Sequence, residues 1–403
     1  MLDTLARPFT EGFRVFFLAA GLFGVASLAY WELWLGVHAA GGMVTGTPFA
    51  MAPHLWHAHE MIWGFAGAVL GGFFLTAVPN WTGGRPAAVP FLAAVSGVWL
   101  AGRLAVWVSG TLDPWLVAAA DLAFLPLLAA KLVAMLVRRP KPQNVMLIGL
   151  LSLLWAGNLM VHLDWTGLWP GAAWEGMRAG LLTVAAMIAV VGGRITPAFT
   201  RNALRRRGRE TGLPRETGPL DRLGLASAIL LPVLVLLGAP ETALAAAALA
   251  AGGLHAARLA GWRGLAVLDE PLLWSMHAAY ALLAAGYLAL ALAYWAGTSE
   301  VAALHVLGIG AIGGMTLTVM SRASLGHTGR ALTAPRPVVA AFAMLLAATG
   351  LRAAGSYGGL DLYYATMLAA GALWIGAFGL FLATFWGPLT RPRPDRQAEG
   401  GGA

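Results

Sequence analysis

The chain has 403 residues, 59% of them apolar and only 11% charged, where a soluble protein carries about 25% charged residues. Mean hydropathy is +0.72, and 52 Gly and 17 Trp point the same way, to lipid as the solvent; soluble, disordered and nucleic-acid-binding classes are excluded. The net charge of +8 rests on 24 Arg and 2 Lys, and no cysteine is present, which removes disulfides, iron–sulfur clusters and thiolate-held metals.

A membrane span needs about 20 mainly apolar residues. The first apolar run, 13–35, lacks a small-residue cleavage site followed by a soluble domain and reads as a span carrying Glu32, not as a cleaved signal. His38 falls in the loop after it. The second span, 54–78, opens on Pro53-His54-Leu55-Trp56-His57-Ala58-His59-Glu60. Spans follow at 90–109 with Arg103, 113–137 with Asp121 and Lys131, 143–163 with His162, and 174–194 with Arg178. A basic connector, 201–215, leads to spans at 222–237 and 240–261, the latter holding His255 near its end. The last four are expected at 270–296 with His277, 300–320 with His305, 335–354 with Arg352, and 359–387. His327 is expected in the loop after the tenth span. Breaks fall at turn chemistry such as Gly83-Gly84-Arg85-Pro86, Arg139-Pro140-Lys141-Pro142 and Gly238-Ala239-Pro240. The tail after Arg391 is expected to be disordered.

Charge tests the count. All but Arg103, Lys131, Arg178 and Arg352 of the 26 basic residues fall in the N-terminal segment, or in or beside the connectors after even-numbered spans. By the positive-inside rule both termini face the cytoplasm, and 201–215 reads first as a topology determinant.

Three span ends share a pattern around Gly71-Gly72, Gly192-Gly193 and Gly313-Gly314, separated by 121 residues each time. They lie on spans 2, 6 and 10, which run in the same direction. The spacing predicts a pseudo-threefold of parallel four-helix repeats, 13–137, 143–261 and 270–387. That layout resembles, by analogy, the three groups of four helices in haem–copper oxidases. The histidines depart from that pattern, because the sixth span has none and no two histidines are adjacent.

Ionisable groups inside a bilayer are costly and usually serve a function. On a helix, His54 and His57 lie about 60° apart on one face, which Glu60 continues, while His59 points about 160° away from His57. One ion cannot easily take all three, so either two sites exist or Pro53 leaves His54 in irregular backbone. Imidazole suits copper and haem iron alike, and Glu60 is placed to orient a ligand or carry protons. Gly64, Gly67 and Gly71 after this segment, and Gly308, Gly310 and Gly313 after His305, serve close helix packing or leave room for a flat macrocycle. His255 reads as an interfacial polar contact. His277 reads as a ligand of a second centre or as a partner of Tyr280. Arg103, Arg178 and Arg352 read either as clamps for haem propionates or, with Asp121, as an ion pair fixing helix registry. Glu32, Glu60 and Asp121 are the candidates for a proton route.

The segment His54–Glu60 with residues 72–83, the segment Gly192–Asn202 with its Gly192-Gly193-Arg194-Ile195-Thr196-Pro197 start, and Met320–Arg330 resemble the signatures of the NnrS family. The resemblance runs through most of the chain. It implies an all-α integral protein of the bacterial inner membrane with haem, of b type, and copper, linked to nitric oxide metabolism and nitrosative stress. The motif residues it carries over are His54, His57, His59, Glu60, His277, His305 and His327. On these grounds the metal ligands are expected among His54, His57, His59, His305 and His327. Cofactor contacts are expected from His59, His277, His305, Arg103, Arg178 and Arg352, and catalytic proton transfer from Glu60. The expected chemistry is reduction of nitric oxide to nitrous oxide near the outer surface, with electrons from a quinol or a cytochrome. Non-catalytic nitric oxide binding, or haem and metal handling, stands as the alternative. A solute transporter fits less well, since carriers favour inverted repeats.

Overall fold

The computed structural model describes residues 6–137, 142–215 and 218–394. The Arg139-Pro140-Lys141 break and tail residues 395–403 lie outside them. Twelve helices are long and apolar enough to cross a membrane, so this is an all-α integral membrane protein. They are α1 (Gly12–Ala39), α2 (Pro53–Thr82), α3 (Val89–Trp107), α4 (Pro114–Leu136), α5 (Val145–Trp165), α6 (Ala172–Arg206), α7 (Gly218–Leu236), α8 (Glu241–Ala260), α9 (Pro271–Ala296), α10 (Glu300–His327), α11 (Arg336–Gly355) and α12 (Leu362–Thr390). All twelve overlap the expected spans.

Two helices outrun the hydrophobic pattern. α6 continues to Arg206, shortening the basic connector. Its extra turns bury Ala203 and Leu204 against Val267 and Leu273, and Arg205 and Arg206 in its last turn complement the negative end of the helix dipole. α10 continues to His327, so His327 closes a helix where a loop was expected. Hydropathy marks where lipid ends, not where backbone hydrogen bonding ends. At the end of α12, Arg14 Nη1 donates to the carbonyls of Pro388, Leu389 and Arg391 at 3.0–3.1 Å.

The contacts group into two units. One comprises Met1–Gly180, Met320–Leu332 and Phe378–Ala403; the other comprises Leu181–Val319 and Thr333–Ala377.

In the first unit, α4 is interrupted at Ala123 between Leu122 and Phe124. The cause is Pro126, which has no N–H to give the Leu122 carbonyl and disrupts the ladder. The Trp155 indole of α5 takes that carbonyl instead, at 3.1 Å. Trp155→Phe leaves a carbonyl without a donor and is expected to cost about 1–2 kcal/mol, read as a lowered unfolding temperature in detergent. α2 contains a π-helical segment, Glu60–Ala66, a geometry often found at functional sites. The Gly64 carbonyl within it accepts the Trp99 indole N–H at 3.0 Å.

In the second unit, α10 also carries a π-segment, Val306–Gly313, directly after His305. A Cβ at Gly313 would lie 2.5 Å from the Trp374 indole, whose ring is buried at 3% exposure. Gly313→Ala is expected to destabilise by about 1–3 kcal/mol through overpacking; thermal unfolding checks it.

Candidate metal centre

The first unit holds a buried polar cluster assembled from four helices. α2 supplies His59 and Glu60, α3 Arg103, α4 Asp121, and α5 Asn158 and His162. All six are 4% exposed or less. Pro53 starts α2 by fixing its first turn, and the π-segment begins at Glu60. The interruption of α4 at Ala123 lies two residues beyond Asp121. Asn158 and His162 stand four residues apart, and so share one face of α5.

His59 Nδ1 lies 2.8 Å from Glu60 Oε1, and its Nε2 lies 3.0 Å from Asn158 Oδ1 and 3.2 Å from Asp121 Oδ2. His162 Nε2 lies 2.8 Å from the same Asp121 oxygen, to which Asn158 Nδ2 also donates at 2.9 Å. Arg103 donates through Nη1 to Glu60 Oε1 at 2.6 Å and pairs through Nη2 with Asp121 Oδ1. Three potential ligand atoms, from His59, Asp121 and His162, lie within 4.8 Å of one another. The indole of Trp165 packs on both imidazoles, at 5.1 and 5.2 Å, and Trp63 lies 4.9 Å from His59.

Charge bookkeeping gives this arrangement chemical meaning. If both carboxylates were ionised and both imidazoles neutral, Glu60, Asp121 and Arg103 would leave one negative charge uncompensated, which is expensive in a dry interior and which a proton or a metal cation would offset. His59 also faces oxygen on both ring nitrogens, and a neutral imidazole has one N–H to give. A second proton on His59 satisfies both, and so does a metal cation at Nε2. The metal case has a familiar support: the other nitrogen of a ligating imidazole usually donates to a carboxylate, as His59 Nδ1 is placed to do toward Glu60. Two imidazoles and a carboxylate suit copper and non-haem iron.

The remaining expected residues lie apart from this cluster. Glu60 pairs with His59 instead of continuing the face of His54 and His57. His54 is exposed, and His57 stacks on Trp31 at 4.8 Å, the next ring in a column with Trp34 and His38. Arg178 pairs with Glu175 at 2.7 Å. His327 packs on Phe13 at 5.3 Å. In the second unit, Arg352 donates to Ser356 Oγ at 2.7 Å, and His305 Nδ1 lies 2.7 Å from the Val301 carbonyl. His277 Nε2 lies 2.9 Å from Thr200 Oγ1, so its partner is not Tyr280. The Tyr280 hydroxyl is taken by Arg258 Nη1 at 2.5 Å and by His255 Nδ1 at 2.8 Å.

His255 is therefore a fully buried member of a polar network, not an interfacial contact. Its Nε2 and the Nδ1 of His277 are buried with no hydrogen-bond partner among the described residues. Each has its other ring nitrogen anchored, but the His277 ring packs against Gly264, where a Cβ would lie 2.8 Å from Nδ1. The glycine faces are mixed: a Cβ at Gly67 or Gly308 would meet its nearest neighbour only at 3.8–3.9 Å, whereas others are tightly packed. Gly64 meets Phe23, Gly310 meets Leu282 and Gly313 meets Trp374, which is close helix packing.

The family model for the NnrS protein matches residues 7–393. The chain belongs to the NnrS family. No curated relative matches it. NnrS membership and the twelve spans make this a membrane protein connected with nitric oxide. Sequence reading reached His59, Glu60, Arg103 and Asp121 as separate candidates. It passed over Asn158 and left His162 without a role; their four-residue spacing on a span was the available signal.

Proposed function

We propose that this NnrS protein holds a copper ion at His59, His162 and Asp121 and reduces nitric oxide to nitrous oxide there. The observation that carries the reading is the convergence of three buried ligand atoms, from two imidazoles and a carboxylate, within 4.8 Å. Non-haem iron is the second reading, favoured by the two-imidazole, one-carboxylate donor set. A metal held by these residues would supply electron transfer and a binding point for nitric oxide. Two nitric oxide molecules, two electrons and two protons give one nitrous oxide and one water.

The chain's own groups handle position and protons. His59 and His162 present neutral nitrogens toward the site. Asp121 adds a negative oxygen and is held by Arg103 and Asn158. Glu60 fixes the His59 ring through Nδ1 and is the cluster's carboxylate outside the proposed ligand set, so in this reading it delivers protons. The lipid-embedded site suits a substrate that dissolves in the bilayer. A quinol or a cytochrome serves as electron donor. In the same reading, a haem would draw its imidazole ligand from His255, whose Nε2 is buried and unpartnered among the described residues, and both termini face the cytoplasm of the bacterial cell.

Metal and haem per chain are to be measured on purified protein, followed by nitric oxide consumption with reductant and nitrous oxide detection. About one copper per chain and repeated turnover are expected. Stoichiometric nitric oxide binding without nitrous oxide would replace the enzyme reading with a binding one. Full metal content in both His59→Ala and His162→Ala would remove the site.

A further inference from the structure

The first unit carries a second polar feature, remote in sequence from the cluster around His59. A cavity of about 330 Å³ opens where α1 begins and α2 and α10 end. Its polar wall includes Arg7, Arg14, Arg393, His327, Asn80 and Thr76. The other wall is apolar, with Leu75, Pro79 and Ala87. Among the described residues of the lining the one carboxylate is Glu11, and it is engaged by Arg14 Nε at 2.7 Å. Arg14 also caps the end of α12 through three carbonyls, which makes it part of the frame. Arg7, Arg393 and the His327 imidazole line the remainder. Positive charge is crowded here: burial and the Arg14 guanidinium together hold nearby Arg330 below the usual guanidinium range.

We propose that this cavity binds a phosphate group, carried by an anionic glycerophospholipid or free in solution. Guanidinium forks match phosphate oxygens two at a time. Basic pockets between helices at a membrane face take anionic headgroups. The volume exceeds what a bare phosphate needs, and the apolar wall continues beside the basic one, where a glycerol backbone and the first acyl carbons would lie. The site gives His327 a role as a headgroup donor and ties together three segments distant in sequence: the start of α1, the end of α2 and the chain after α12. Bound phosphate would hold those ends together.

The test uses the full-length protein in neutral detergent. Native mass spectrometry follows binding of phosphatidylglycerol, with phosphatidylcholine as the zwitterionic control and inorganic phosphate as competitor. Wild type is expected to retain phosphatidylglycerol over phosphatidylcholine. Arg7→Gln with Arg393→Gln should weaken that binding about tenfold or more, and His327→Gln should weaken it by a smaller factor. A matched control, Arg205→Gln with Arg209→Gln, removes two exposed arginines outside the cavity and should leave binding unchanged. If inorganic phosphate raises the unfolding temperature of wild type but not of the Arg7/Arg393 variant, and the lipid shows no preference, the site stands with free phosphate as its source. Equal lipid retention and equal phosphate response in wild type, cavity variant and control variant would overturn the proposal. Circular dichroism of each variant confirms that the comparison is between folded proteins.

Discussion

Asp121→Asn is expected to empty the metal centre and to lower stability at the same time. Asp121 Oδ2 is the point where His162 Nε2, His59 Nε2 and Asn158 Nδ2 converge, and its other oxygen pairs with Arg103. Replacing one oxygen by an amide removes a ligand and also removes a negative charge that a metal cation would offset. Loss of an outer-shell partner typically weakens metal binding about 10–100-fold, and loss of a direct ligand should exceed that range. Arg103 then keeps Glu60 as its one carboxylate partner in a dry setting. No buried charge is left unpaired, so the cost is that of the hydrogen bonds Asp121 makes to His162 and Asn158, about 1–3 kcal/mol, and a fall in unfolding temperature should accompany the loss of metal. The exposed Asp113 offers a control of the same chemistry. It caps α4 by accepting from Trp115 N–H at 2.8 Å, so Asp113→Asn should cost about 1 kcal/mol or less and leave metal content unchanged. Elemental analysis and thermal unfolding on the two variants read both effects. Wild-type metal content in Asp121→Asn would show that the cluster is a self-contained ion-pair network.

The twelve spans were legible because lipid imposes one rule: about 20 apolar residues per crossing, with turn residues between them. Helix ends were less legible. α6 outruns its apolar stretch because Ala203 and Leu204 find cover outside the lipid-facing pattern, and α10 likewise buries Ser321, Ser324 and Leu325; hydropathy does not register that. The candidate site was legible in part. His59, Glu60, Arg103 and Asp121 stood out because charge in a span is rare, and the Arg103–Asp121 ion pair was one of two readings weighed. What periodicity missed was the grouping. A uniform 100° rotation placed Glu60 with His54 and His57, but the backbone turns π-helical at Glu60, and the carboxylate meets His59. His162 was visible as a residue and invisible as a partner, because the contact with Asp121 spans 41 positions and depends on how α4 and α5 pack. Gly193 makes the same point in the second unit. It was read as one of a repeating glycine pair, yet a Cβ there would lie 2.6 Å from the Arg258 guanidinium and 3.0 Å from the Tyr280 hydroxyl. Its smallness serves a buried polar network that no sequence pattern announced.

Glu60→Gln is expected to separate metal binding from turnover. The change keeps the size of the side chain and an oxygen acceptor for His59 Nδ1 and Arg103 Nη1, which both point at Oε1. Positioning of His59 should therefore survive in large part, with metal affinity lowered by about tenfold as for other outer-shell changes. Proton delivery should not survive, because an amide does not exchange a proton as a carboxyl does. General acid–base groups contribute about 10²–10⁴-fold, so nitrous oxide formation under saturating metal should fall by about a hundredfold or more. Glu60→Asp keeps the acid but shortens the reach to His59 and Arg103, and should recover part of the rate with a shifted pH profile. A group that only orients His59 would give the opposite pattern, with the amide close to wild type and the shorter acid impaired. Turnover within about twofold of wild type in Glu60→Gln, at full metal loading, would assign Glu60 to orientation alone and send the search for the proton donor to Glu32 at half-burial on α1.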